Sequence, residues 1–269
     1  MHDIWIALIN GIVEGLTEFL PVSSTGHLKL VDSLTGFGTD PRANTFDIVI
    51  QLGAILAVVV LYFKKVMRLI GIRIGQDNAV EGPKLNLLHI IIGCLPASVI
   101  GLIANNYIDK LLSIPEMVLI GLVIGGVYMI IAERYHPKIE ANDVDQITYR
   151  QAFYIGVAQI LSLWPGFSRS GSTIAAGMLT GASRAAAADF TFIMAIPLMA
   201  AASGLSLLKN YKDFSAGDFG FLAIGFIVSF LVALVAVGTF IRVVGKLKLT
   251  VFAYYRFVLA GVFLIYILM

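Results

Sequence analysis

Residues 14–27 read EGLTEFLPVSSTGH, and residues 164–173 read WPGFSRSGST. In the first stretch Glu14 and Glu18 stand four apart, so a helix presents both carboxylates on one face. Two ionised carboxylates that close in a low-dielectric setting repel unless a cation or a shared proton lies between them. A hard divalent ion such as Mg²⁺ or Ca²⁺ has the oxygen preference required and commonly joins carboxylates to a phosphate. The structural alternative is a loop position or a basic partner. Pro21 stops the helix that carries the pair. Beyond it Ser23, Ser24, Thr25 and Gly26 bring hydroxyls and amides suited either to an anion or to a helix cap. His27, three residues after Ser24, is spaced to serve as base to a serine nucleophile across a turn or a first helical turn. The second stretch places Arg169 between Ser168 and Ser170, and its planar fork matches phosphate oxygens. A salt bridge to Glu14 or Glu18 is its structural alternative. Metal, nucleophile, proton acceptor and neutralising cation together are the requirements of phosphoryl transfer.

Something must hold these groups at depth in an apolar chain. Of 269 residues, 58% are hydrophobic and 13% charged, with mean hydropathy +0.89. Soluble domains carry about 25% charged residues, so the composition is that of an all-α polytopic membrane protein, read as one membrane domain over residues 1–269. A net charge of +2 gives no nucleic-acid surface. The single cysteine, Cys94, excludes an internal disulfide framework. Six transmembrane helices are expected near 46–63, 87–104, 116–132, 190–208, 219–240 and 251–268, each close to the roughly 20 residues that cross a bilayer.

The two chemical stretches interrupt apolar segments at 4–20 and 151–164. Broken backbone at membrane depth must be enclosed or line a wet cavity, so both are expected to be re-entrant helical hairpins. Eight continuous spans is the rival arrangement. Basic residues collect in 64–86, 134–150, 184 and 242–248, against Lys29, Arg42, Lys110, Lys209 and Lys212 on the other side, which places the first group in the cytoplasm. Arg256, in FAYYRFVLA, is expected to snorkel to the cytoplasmic boundary. Pro21 and Pro165 are 144 positions apart, as are Ser24 and Ser168, and Phe46 and Phe190. Pseudo-repeat halves over about 1–135 and 146–269, each one hairpin and three spans, then enter from opposite sides as an inverted-topology repeat.

EGLTEFLPVSSTGH and PGFSRSGST strongly resemble the two signature motifs of the bacterial undecaprenyl-diphosphate phosphatases, the family linked to bacitracin resistance, and the resemblance extends over essentially the whole chain. It implies a multi-pass enzyme of the bacterial plasma membrane that converts the polyprenyl diphosphate lipid to its monophosphate for cell-wall synthesis. It also implies an outward-facing site, a divalent metal requirement and a homodimer as a known state. Carried across by motif position, Glu14 and Glu18 are the acidic pair, Ser23, Ser24 and Thr25 the hydroxyl run, and His27 the motif histidine. Ser168, Arg169, Ser170 and Thr173 form the second motif. The residues leave open whether Ser24, with His27 as base, or an activated water attacks the phosphorus. Two other classes compete: a lipid transporter, which would bind without cleaving, and an intramembrane serine protease, whose activity would survive EDTA.

Overall fold

The computed structural model describes residues 2–72, 84–112, 114–210 and 218–268, and its regular elements are helical. In order they are α1 (His2–Thr17), α2 (Ser24–Thr35), α3 (Ala43–Leu61), α4 (Phe63–Leu69), α5 (Leu87–Leu112), α6 (Pro115–Tyr135), α7 (Tyr149–Gln159), α8 (Arg169–Leu179), α9 (Arg184–Asn210), α10 (Phe219–Val243) and α11 (Leu249–Leu268). Six of them, α3, α5, α6, α9, α10 and α11, are long and apolar enough to cross a membrane. These are the six expected spans. The start of α9 lies ahead of the expected 190 because its first turns, which carry the charged Arg184 and Asp189, are helical as well. Leu102, Ile103, Val235 and Val258 stand exposed on these helices, as residues facing lipid would.

The short helices pair off. α1 packs against α2 and α7 against α8, with α1 also lying along α10 and α7 along α5. Gly15 makes the first of these long contacts close: a Cβ there would stand 2.7 Å from the Ser229 carbonyl oxygen, so α1 rests directly on the α10 backbone. The largest group of buried apolar side chains, including Phe19, Ile174, Phe190, Phe192 and Phe240, joins α3, α8, α9 and α10 around the turn after α1.

Ion pairs tie the helix ends. Where α3 begins, Arg42 bonds Asp3, Asp40 and Asp218 at 2.8–3.3 Å, and its guanidinium holds the Asp40 carboxyl below the usual carboxylate range. Where α3 ends, Asp189 accepts from Tyr62 at 2.5 Å and from Lys65 at 3.3 Å, Arg68 reaches Asp145 at 2.6 Å, and Arg184 pairs with Glu133. Arg73 and Lys212, counted in the expected charge asymmetry, lie outside the described residues.

Candidate active site

Two serines in a backbone conformation rare for non-glycine residues start the helices of the site. Ser23 has φ 73° and precedes α2; Ser168 has φ 73° and precedes α8. Such positions cost about 1–3 kcal/mol of strain each and persist only where the surroundings enforce them. The serine hydroxyl supplies a compensation that glycine lacks. Ser23 Oγ accepts from the Gly26 amide at 3.3 Å, and Ser168 Oγ from the Gly171 amide at 3.2 Å. In local geometry Ser168 takes the capping position before α8 that Ser23 takes before α2, and Arg169 takes the first helical position that Ser24 takes, whereas the sequence spacing sets Ser24 opposite Ser168. The second loop holds one residue more between its proline and its capping serine, which a fixed spacing anchored on the prolines hides.

Ser24 and Arg169 are thus the first residues of two helices, and Glu18 joins them. Ser24 Oγ donates to Glu18 Oε2 at 2.5 Å, and Arg169 Nη2 donates to Glu18 Oε1 at 3.2 Å. The Glu18 and Arg169 side chains are only 7% and 12% exposed. Arg169 also lies over the Phe19 ring, 5.3 Å from its centroid, while its Nη1 is buried with no partner among the described residues. Ser170 Oγ donates to the Leu20 carbonyl at 2.9 Å and lies 3.2 Å from Ser168 Oγ, so it stitches the two loops together. Thr173 Oγ1 turns back to the Arg169 carbonyl at 2.8 Å and accepts from Thr191 at 2.9 Å, an internal brace of α8. Thr25 sits half-buried on the first turn of α2.

Glu14, one turn before Glu18, is 1% exposed, and its Oε1 has no partner among the described residues. Its charged neighbours are Glu18, Asp47 and Arg169. A buried acceptor of this kind beside a second carboxylate fits a hard cation, since both offer oxygen and the Glu14 oxygen is uncommitted.

The expected contact between Ser24 and His27 does not form. The ring of His27 bonds the Ser23 carbonyl through Nδ1 at 2.7 Å and the Tyr255 hydroxyl through Nε2 at 2.7 Å, stacking on Tyr255 at 5.6 Å. A carbonyl only accepts, so in the neutral ring Nδ1 carries the hydrogen and Nε2 receives the tyrosine proton. The group that accepts a hydrogen bond from Ser24 is the Glu18 carboxylate.

Arg256 also departs from expectation. Instead of snorkelling, it is fully buried, and its guanidinium donates to the carbonyls of Gly121, Leu122, Gly166 and Phe167 at 2.8–3.2 Å. Two of these belong to α6 and two to the loop that leads into Ser168. α6 admits the loop because it lacks side chains there: a Cβ on Gly121 would stand 2.0 Å from the Pro165 carbonyl oxygen, and one on Gly125 would stand 2.3 Å from Arg256 Nη2. One arginine therefore satisfies carbonyls of a loop buried inside the protein.

The chain is 52% identical over 269 residues to the undecaprenyl-diphosphatase of Geobacillus kaustophilus (strain HTA426), covering 97% of this chain and 98% of that one. It is 54% identical over 267 residues to the undecaprenyl-diphosphatase of Geobacillus thermodenitrificans (strain NG80-2), covering 97% and 96%. Residues 7–262, which include both capping serines, Glu14, Glu18, Arg169 and Arg256, match the family described as bacitracin resistance protein BacA, and the chain belongs to that family.

Proposed function

We propose that the protein is a membrane undecaprenyl-diphosphate phosphatase, releasing inorganic phosphate and the lipid monophosphate reused in cell-wall synthesis. The observation that carries this reading is Glu18 holding Ser24 and Arg169 together, with a spare guanidinium donor and a spare carboxylate acceptor beside it. Peptide hydrolysis has no use for that pair of acids and cation, whereas a diphosphate has use for each.

In the proposed reaction Ser24 Oγ attacks the terminal phosphorus as Glu18 Oε2 takes its proton. The bond from that phosphorus to the bridging oxygen breaks, and its electrons leave with the lipid monophosphate. Water then cleaves the phosphoserine, giving phosphate and restoring Ser24. Arg169 grips a non-bridging oxygen through Nη1, and the amide-rich starts of α2 and α8 both face the transferred group. Ser23, Ser168 and Ser170 fix those starts, Thr173 braces α8, and Thr25 faces the bound headgroup from the first turn of α2. His27, held by Ser23 and Tyr255, serves proton exchange at the leaving phosphate. Glu14 and Glu18 would hold the Mg²⁺ or Ca²⁺, which when bound supplies further charge neutralisation on the diphosphate.

The test is phosphate release from undecaprenyl diphosphate by purified protein in detergent. Release that depends on Mg²⁺ or Ca²⁺ and stops with EDTA is expected. Absence of release with either ion would sink the reading, and transfer of the lipid across a bilayer without release would replace it with transport.

The proposed frame is an inverted-topology repeat. α1–α2 and α7–α8 are re-entrant hairpins entering from opposite faces of the bacterial plasma membrane, with the site opening outward. Its support is the matched pair of serine caps at φ 73° and the odd number of spans between the hairpins. In a Cys94→Ala background, a cysteine at Thr39 should react with an impermeant thiol reagent applied to intact cells. One at Asn142, exposed in the loop after α6, should stay protected. Equal labelling of both would exclude the inverted arrangement.

A further inference from the structure

A course of oxygen-bearing side chains runs from the end of the bundle that carries Arg42 to the catalytic carboxylates. Asp32 of α2 lines a cavity of about 290 Å³ together with Lys29, Ser33, Thr39 and Tyr266. Asp32 is otherwise buried, and its Oδ1 accepts from Asn10 Nδ2 at 2.7 Å. Asn10 and Glu14 of α1, and Glu18 in the turn that continues it, then follow one another at four-residue steps, a stripe about 12 Å long at the helical rise. Asp47 of α3 stands within electrostatic reach of both Asp32 and Glu14.

Three oxygens on this course lack donors, while Glu18 and Asp32 are already engaged. Asn10 Oδ1, Glu14 Oε1 and Asp47 Oδ1 are closed to solvent and have no hydrogen-bond partner among the described residues, with Asn10 and Glu14 only 0% and 1% exposed. A buried acceptor left unmade costs about 1–3 kcal/mol, so neighbouring orphans call for a partner from outside the chain. All are acceptors, and an acceptor-only set is completed by a cation that trades hydration oxygens for protein ones. Along the course the carboxyls of Asp32, Asp47, Glu14 and Glu18 outnumber the cations Lys29 and Arg169, so an arriving metal ion meets more oxygen ligands than competing positive charges. Among the described residues no three His, Cys, Asp or Glu side chains are close enough together to hold a metal ion. The stripe therefore offers successive transient contacts and not a second resident site.

We infer that this seam is the entry route by which a hydrated divalent cation passes from the cavity past Asp32, Asn10 and Asp47 to Glu14 and Glu18, separately from the lipid. The inference rests on the reading of Glu14 and Glu18 as the metal pair. It separates rate from affinity: a residue on the route controls how fast the ion arrives, and a ligand controls how tightly it stays.

The experiment follows uptake of Mn²⁺ by the purified full-length protein, using stopped-flow competition with a fluorescent chelator for the rate and electron paramagnetic resonance for the affinity. Asn10→Leu fills the seam with an apolar side chain and is expected to slow uptake about tenfold or more while affinity changes far less. Asp32→Asn keeps its shape, and it should slow uptake by a smaller factor and weaken the dependence of the rate on salt. It carries the test where Asn10→Leu does not fold. Glu14→Gln should lose affinity. Wild-type uptake rates in both route variants, with affinity still dependent on Glu14, would overturn the seam alone. Undiminished affinity in Glu14→Gln would overturn the metal pair and the seam with it.

Discussion

Replacing Ser24 with alanine is expected to lower kcat about 10³-fold or more, the scale of removing an activated nucleophile and not a positioning group. The expectation follows from Ser24 Oγ standing 2.5 Å from Glu18 Oε2, where proton transfer needs no movement of either helix. KM should change little, because Arg169, Glu14 and both helix starts remain. Ser23→Ala is the control. It removes a cap worth about 0.5–2 kcal/mol and leaves alanine at a positive φ, so it should lower thermal stability as well as turnover. Steady-state phosphate release, paired with a melting curve for each variant, distinguishes the two. If Ser24→Ala kept a tenth of wild-type kcat, water activated by Glu18 would be the better account and Ser24 would be a positioning group.

Arg169→Lys should lower kcat/KM about 100-fold, equivalent to about 2.7 kcal/mol of lost transition-state stabilisation. Charge is retained, so the loss measures geometry. Arg169 reaches Glu18 with Nη2 while Nη1 remains for the substrate, and its flat face covers Phe19. An ammonium has one centre for both tasks and no plane to lay on the ring. Arg169→Ala should be more severe, partly because it leaves Glu18 without its buried cation. Full activity in Arg169→Ala would mean that α8 does not grip the diphosphate, and the convergence of the two loops would have no catalytic purpose.

The residues within each motif were legible because local rules govern them. Glu14 and Glu18 share a face through helix spacing, and hydropathy located the six spans. What depended on distant partners was not. The spacing from Ser24 to His27 suggested contact, yet Ser23, strained at φ 73°, turns the imidazole toward its own carbonyl and toward Tyr255, which lies 228 positions away. Tyr255 carried no motif of its own. Among the described residues Arg256 bonds backbone carbonyls and one sulfur and no acid, so no complementary carboxylate could announce it. One signal existed: it lies well inside an apolar helix, and the glycines of GLVIGG open α6 to a neighbour at matching depth. The spacing of 144 positions sets Ser24 opposite Ser168, whereas the local cap geometry sets Ser23 opposite Ser168.

The double engagement of Glu18 has a consequence for turnover. Before any lipid arrives, Glu18 already holds the Ser24 hydroxyl on one oxygen and the Arg169 guanidinium on the other. In the proposed reaction the attacking group and the phosphate grip are therefore aimed by a single side chain, and a shift at the start of either helix would misplace both together.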